Sequence, residues 1–247
     1  PILDQILGYL REKKVFVGLT TNGLLIKKRY DVLKNFQDIV GQLSISVDSP
    51  KKETYEIVRA KGNFEELVDN LAFAKKFLKI KLRMSMIISK LNHKELGSFI
   101  EFAKKYVANL SEDLYFGFVG SLSPNSDFFD NNNLFPNQTR SNRLCGNMAG
   151  ESLNFHINGD LSICARDYDG SLVIGNVNED NPKNILNYSD NYRKIKNRHL
   201  ENKLEGPCAN CMVVDDSISI IFSSIMKVAL QTFKTENFVI YDSFFEN

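Results

Sequence analysis

The feature that most constrains this chain is the exchange of two hydrophobic periods along its front half. VFVGLTT (residues 15–21) is β-like, and Asn22-Gly23 breaks it before a helical stretch from Ile26 to Phe36. Leu43, Ile45 and Val47 alternate with Ser44, Ser46 and Asp48, the period of a strand, and Pro50 ends the run. Phe64, Leu67, Val68, Leu71 and Ala74 return to a helical face, with Asn63 as cap and Glu66 three residues on. A strand from Ile80 to Ile88 follows. Asn92 and Glu95 mark a helix whose buried stripe is Leu96, Phe99, Ile100 and Ala103, and a last strand runs from Leu114 to Val119. Ile2, Leu3, Ile6, Leu7 and Leu10 form a helix in front, so the order is αβαβαβαβ. Such alternation predicts a parallel sheet, doubly wound or closed into a barrel, with ligands at the C-terminal strand ends.

Strands of a parallel sheet covered on both faces are apolar throughout, and these are not. Ser44, Ser46 and Asp48 are expected on one face, as are Lys81, Arg83 and Ser85. The structural alternatives are a turn at Asn22-Gly23, loop-capping by Ser46 and Asp48, and an Arg83 snorkelling at the sheet edge. Three or four strands cannot close a barrel, so a barrel would take its other strands from a preceding N-terminal portion.

The back half holds all four cysteines, Cys145, Cys164, Cys208 and Cys211. NFHINGDLSIC (154–164) reads as a β-hairpin turning at Asn158-Gly159, which returns Cys164 towards Cys145, and Cys208-Ala-Asn-Cys211 completes the set. Four thiolates suit tetrahedral zinc or an iron-sulfur cluster equally, and spacing does not choose between them. Two disulfides are the structural alternative, disfavoured where no export signal leads the chain. The 31 basic and 30 acidic side chains form no basic stripe, which argues against nucleic acid. No apolar run is long enough to span a bilayer, and a cytoplasmic location is expected.

TTNG (20–23), SVD (46–48) and Arg59 to Gly62 followed by NFEELVDNL resemble, in order, the later barrel of radical S-adenosylmethionine (SAM) enzymes. The Cys145-x13-Gly159-x4-Cys164 unit, the Ile174-Gly175-Asn176-Val177 run and PCANC (207–211) resemble the SPASM or twitch domain appended to some of them. The resemblance implies an α/β fold: residues 1–125 as later units of a partial (β/α) radical SAM barrel, 140–215 as a small β-hairpin/helix SPASM-like twitch domain, and 216–247 as an extension. Full SPASM domains carry three more cysteines after the CxxC. None follows Cys211, so the single-cluster twitch version, as in aminocyclitol dehydrogenases, is implied.

The resemblance further implies an enzyme that makes a 5'-deoxyadenosyl radical and abstracts hydrogen from a small-molecule or peptide substrate, in peptide maturation or sugar or cyclitol oxidation. Cys145, Cys164, Cys208 and Cys211 would hold one auxiliary 4Fe-4S cluster for electron transfer. Thr21 and Asn22, resembling a lumen-facing TTN, with Ser46, Asp48 and Arg83, or alternatively Arg59, would contact SAM. Flavodoxin or ferredoxin would be the electron donor. The CxxxCxxC of the SAM-cleaving cluster is not in these residues, so this stretch alone is expected to be inactive, and that second 4Fe-4S cluster belongs upstream of Pro1. The rival readings are a zinc-stabilised binding module and a degenerate, non-catalytic paralogue. His93, His156 and His199 read as structural, and Ile218, Ile220, Ile221, Ile225, Val228, Ala229 and Phe233 fit a largely buried helix in the tail.

Overall fold

The structure is a computed structural model, and it describes residues 2–118, 131–132, 134, 145, 153–165, 167, 170–205, 208–209, 225–226, 228 and 230. The chain divides into two compact units, Pro1–Phe118 with Ile221–Asn247, and Val119–Ile220.

In the first unit, α1 (Ile2–Glu12) leads into β1 (Val17–Thr21). A 3-10 turn and α2 (Tyr30–Asn35) precede β2 (Val40–Ser46). Then come α3 (Lys52–Val58), α4 (Phe64–Phe77), β3 (Lys81–Ile88), a second 3-10 turn (His93–Glu95), α5 (Leu96–Ala103), α6 (Leu110–Asp113) and β4 (Leu114–Phe118). The strands lie in the order β1-β2-β3-β4, all parallel. This is the expected α/β layout, with α3 and α6 as short additions that no long apolar period announces.

Register explains the composition of the strands. Leu19, Leu43 and Leu82 are neighbours in one row, and Thr21, Ile45, Met84 and Leu114 in another. Leu43, Ile45, Leu82, Met84 and Met86 are buried with Leu33, Leu67, Leu71, Phe99 and Ile100 of the helices, so this face carries the core. The opposite face holds Thr20, Ser44 and Arg83 in one row and Ser46, Ser85 and Tyr115 in another, all partly or fully exposed. One face is therefore helix-covered and apolar, the other polar and open.

Two expectations are corrected here. Thr21 does not share the open face, because Leu19 must enter the core and a period of two carries Thr21 with it; Thr20 takes the open position. Asp48 also leaves that face. The strand ends at Ser46, the amides of Val47 and Asp48 both donate to the Ser85 carbonyl (3.0 and 3.2 Å), and Asp48 turns left-handed at φ 61° with its side chain buried.

In the second unit β5 (Asn154–Phe155), β6 (Asp160–Ser162) and β7 (Val173–Asn176) form an antiparallel sheet in that order, followed by α7 (Pro182–Tyr188) and α8 (Asp190–Leu200). The predicted hairpin is present. Its turn runs from His156 to Gly159, with Gly159 at φ +90°, the left-handed position that a longer hairpin loop assigns to glycine. The IGN run has a mechanical reason: a Cβ at Gly175 would meet Ile185 of α7 at 2.8 Å, and Asn176 Nδ2 donates to Asp160 Oδ1 (2.9 Å) and the Asn158 carbonyl (3.3 Å), tying β7 to the turn. Leu161, Ile163, Leu172, Ile174, Ile185 and Ile195 make this unit's own core. Most of the tail lies outside the described residues. Within it Met226 and Leu230 are buried while Ile225 and Val228 are exposed, so the inward face is not the one expected.

Candidate functional site

The TTNG segment is built by backbone needs. Thr21 Oγ1 accepts from the Gly23 amide (3.1 Å) and Asn22 Oδ1 from the Leu24 amide (3.2 Å), an Asx turn that leads the chain off the strand. Gly23 sits at φ +84°, and a Cβ there would lie 2.7 Å from Leu67 Cδ1 and 2.9 Å from Ile45 Cγ2. Asn22 is exposed at the C-terminal end of β1.

Ser46 stands at the corresponding end of β2, with Ser85 Oγ 3.5 Å from its hydroxyl. Arg83, one pair back, has its Nη1 3.3 Å from Gln42 Oε1, a Nε that is buried without a partner, and no carboxylate paired with it among the described residues. Lys81 differs: it pairs with Glu112 and Asp113, both at 3.0 Å, and hydrogen bonding to Asp113 first and Glu112 second raises its pKa. Among the described residues the open face thus carries one guanidinium, at Arg83, with hydroxyls of Thr20, Ser44, Ser46 and Ser85 in the same or the adjacent rows. A fork of N–H donors of this kind suits a carboxylate or phosphate oxygen pair. A separate cavity of about 490 Å3 lies at the β1 edge and is mostly apolar, lined among others by Leu3, Leu19, Thr20, Thr21 and Arg29.

Asp48 and Arg59 are committed to each other. Arg59 Nε donates to Asp48 Oδ2 (2.6 Å) and the Ile87 amide to Asp48 Oδ1 (2.8 Å). Asn92 Nδ2 donates to the carbonyls of Asp48 (2.8 Å) and Ile87 (2.9 Å), and Glu95, nearly buried, accepts from Ser49 Oγ (2.5 Å) and Thr54 Oγ1 (2.7 Å). This network clamps the loops after β2 and β3 together. Asn92 and Glu95 show in the sequence only as helix-start residues; partners more than 40 positions away give them their second role.

Three of the four cysteines lie within the described residues, and Cys211 lies outside them. Cys145, Cys164 and Cys208 are half-buried thiols packed against the apolar core of the second unit. Cys164 leaves the hairpin in a tight turn: its amide donates to Ser162 Oγ (3.3 Å), and its carbonyl accepts from Ser162 Oγ (3.2 Å) and the Asp167 amide (3.0 Å). Asp167, buried, accepts from the Leu172 amide at 3.0 Å and holds the far end of the same loop. Nothing in the sequence pattern singles Asp167 out. No three Cys, His, Asp or Glu side chains among the described residues close on one point, as a single ion requires. Soft, half-buried thiols on one apolar core fit an iron-sulfur cluster in donor type and setting.

The chain thus joins a four-stranded parallel α/β unit with a polar open face to a small antiparallel β unit that carries half-buried thiols. Residues 1–103 match the radical SAM superfamily and residues 145–212 match the SPASM iron-sulfur cluster-binding domain. The chain belongs to the radical SAM superfamily and carries a SPASM domain. These two domain types bring S-adenosylmethionine and 4Fe-4S clusters, an auxiliary one included.

Among curated relatives, a GTP 3',8-cyclase of Limosilactobacillus fermentum is 35% identical over 96 residues, 38% of this chain and 28% of that protein. A GTP 3',8-cyclase of Synechocystis is 31% identical over 103 residues, covering 41% and 30%. The match thus spans less than a third of those relatives' length. Of solved structures, anSMEcpe with bound AdoMet and a Kp18Cys peptide aligns over 72% of this chain and 59% of its own, at TM-score 0.46 and 14% identity. An open conformation of BtrN aligns over 76% of each chain, at TM-score 0.27 and 14% identity. No helix among the described residues is long and apolar enough to cross a membrane.

Proposed function

We propose that these residues form the later barrel and auxiliary-cluster portion of a radical SAM enzyme that abstracts hydrogen from a small-molecule or peptide substrate. The observation that carries the reading is the coexistence of the open polar sheet face around Arg83 with half-buried thiols on one small core. When bound, SAM together with a reducing 4Fe-4S cluster supplies a 5'-deoxyadenosyl radical that takes a hydrogen atom from the substrate.

The chain's own residues then bind and orient. Arg83 offers its guanidinium to the methionine carboxylate of SAM, at a position where no carboxylate among the described residues pairs with it. Ser46 donates or accepts at the C-terminal end of β2, and Asn22 does the same at the end of β1. Asp48 acts one step removed: with Arg59 and Asn92 it fixes the loop that leaves Ser46. Cys145, Cys164, Cys208 and Cys211 would hold the single auxiliary cluster, and four protein thiolates leave it no open position for substrate, which suits electron transfer. A soluble donor such as flavodoxin or ferredoxin would reduce the protein in the cytoplasm.

The curated relatives are named for GTP, but the match spans less than a third of their length, so the test is made without choosing a substrate. The complete parent protein, reduced anaerobically with SAM, should form 5'-deoxyadenosine, and Arg83→Gln should raise the SAM concentration needed at least tenfold. Unchanged SAM dependence in Arg83→Gln would remove Arg83 from the site. Absence of 5'-deoxyadenosine from a fully iron-loaded parent protein would remove the enzymatic reading.

A further inference from the structure

α8 is a strongly polar helix, DNYRKIKNRHL, yet two of its residues are buried, Ile195 and His199. They are four apart and so share the stripe that faces the core. Ile195 belongs to the apolar cluster against which Cys145, Cys164 and Cys208 pack. His199 is only 8% exposed, with its Nε2 fully buried.

The chain after α8 explains what stands beside it. Asn202 adopts φ 55° and ends the helix, the Lys203 amide donates to the Arg198 carbonyl (2.8 Å), and Arg198 pairs with Glu205 at 2.9 Å. That reversal folds residues 203–205 back over the last turn of α8. Cys208 then lines, with His199, Arg198, Ser171 and Glu205, a cavity of about 200 Å3. Of the donors around it, Ser171 is exposed and gives its hydroxyl to Asp167, and Arg198 is half-exposed and bound to Glu205. His199 is the buried one.

We propose that His199 sets the reduction potential of the auxiliary cluster by donating an imidazole N–H towards the sulfur of Cys208 or the sulfide beside it. The proposal rests on the cluster assignment made above. A hydrogen bond to a ligating sulfur draws electron density from the cluster and favours the reduced form, and the number of such bonds and the access of water are the main protein controls on its potential. A cavity of this size next to Cys208 admits a few waters, so the ring also decides how wet that edge of the cluster is.

The test uses the full chain, reconstituted anaerobically with iron and sulfide, and its His199→Phe and His199→Gln variants. The readout is the midpoint potential from an EPR-monitored redox titration at one pH. With equal iron content, Phe should lower the potential, and Gln, which keeps an N–H, should stay nearer the parent. Equal potentials in all three overturn the proposal. Should His199→Phe fail to fold, pulsed EPR of the reduced parent decides: nitrogen hyperfine coupling that changes on 15N-histidine labelling supports the contact, and its absence removes it. A chain that takes up no cluster at all loses the cluster assignment and this inference with it, whereas a loaded chain with unmoved potentials loses only this inference.

Discussion

Replacing Asp48 separates what its charge does from what its shape does. The carboxylate accepts from Arg59 Nε at 2.6 Å and from the partly buried Ile87 amide at 2.8 Å, while its backbone holds φ 61°. Asp48→Ala removes a charged hydrogen bond worth about 1.5–3 kcal/mol and strands the Ile87 amide at about 1–3 kcal/mol. Arg59 stays partly hydrated, which discounts the first figure, and a left-handed Ala adds about 1 kcal/mol. The expected loss is about 3–5 kcal/mol. Asp48→Asn keeps an acceptor for Ile87 and tolerates the left-handed turn, so it should cost only about 1–2 kcal/mol, the lost charge alone. The gap of about 2 kcal/mol is roughly a thirtyfold difference in the unfolding constant. Urea unfolding followed by circular dichroism measures it, and hydrogen exchange at the Ile87 amide locates it. Equal losses for Ala and Asn, or an Ile87 amide that exchanges no faster in Asp48→Ala, would show that the carboxylate does not hold the β2 and β3 loops together.

Three further outcomes follow from named contacts. Tyr55 is fully buried, its hydroxyl has no partner among the described residues, and burial is the main cause raising its pKa; Tyr55→Phe should therefore be neutral or stabilising by about 1 kcal/mol, and a loss above that in thermal unfolding would reveal a missed partner. Gly23→Ala meets both φ +84° and side chains at 2.7 and 2.9 Å, so it should destabilise by about 2–4 kcal/mol in urea unfolding, and a change under 1 kcal/mol would contradict the turn described. Hydrogen bonding from Arg11 holds the Asp38 carboxyl below its usual pKa, and Lys52 does the same for Glu65. A depressed folded pKa contributes stability above the ordinary carboxylate value that is lost as pH falls through the folded one, so any deficit of Arg11→Met at pH 6 should shrink below about pH 3 and in high salt; a deficit that is constant with pH would point to lost packing on Phe36 instead.

The sheet was legible because its two faces differ: Leu43 and Ile45 against Ser44 and Ser46 fix a period that only a half-covered strand keeps. The phase of β1 was readable as well, since Leu19 two residues before Thr21 assigns Thr21 to the core side; the resemblance of the TTN segment pointed the other way. Asp48 was misplaced because a strand's alternation says nothing about where the strand ends, and the shared Ser85 carbonyl that ends it lies on another strand. The Asn92 and Glu95 network and the loop-holding role of Asp167 depend on contacts between distant or irregular segments, which no local period records. His199 has a signal in the four-residue step from Ile195, but so polar a helix hides it, and only the cavity it shares with Cys208 sets it apart from a structural histidine.

Metal content of the anaerobically reconstituted chain tests the central claim most directly, read by elemental analysis and Mössbauer spectroscopy. A single auxiliary cluster predicts about four irons and four sulfides per chain with the spectrum of a 4Fe-4S centre, lost in Cys164→Ala and Cys208→Ala. One tightly held zinc per folded chain, with iron refused on reconstitution, would contradict it.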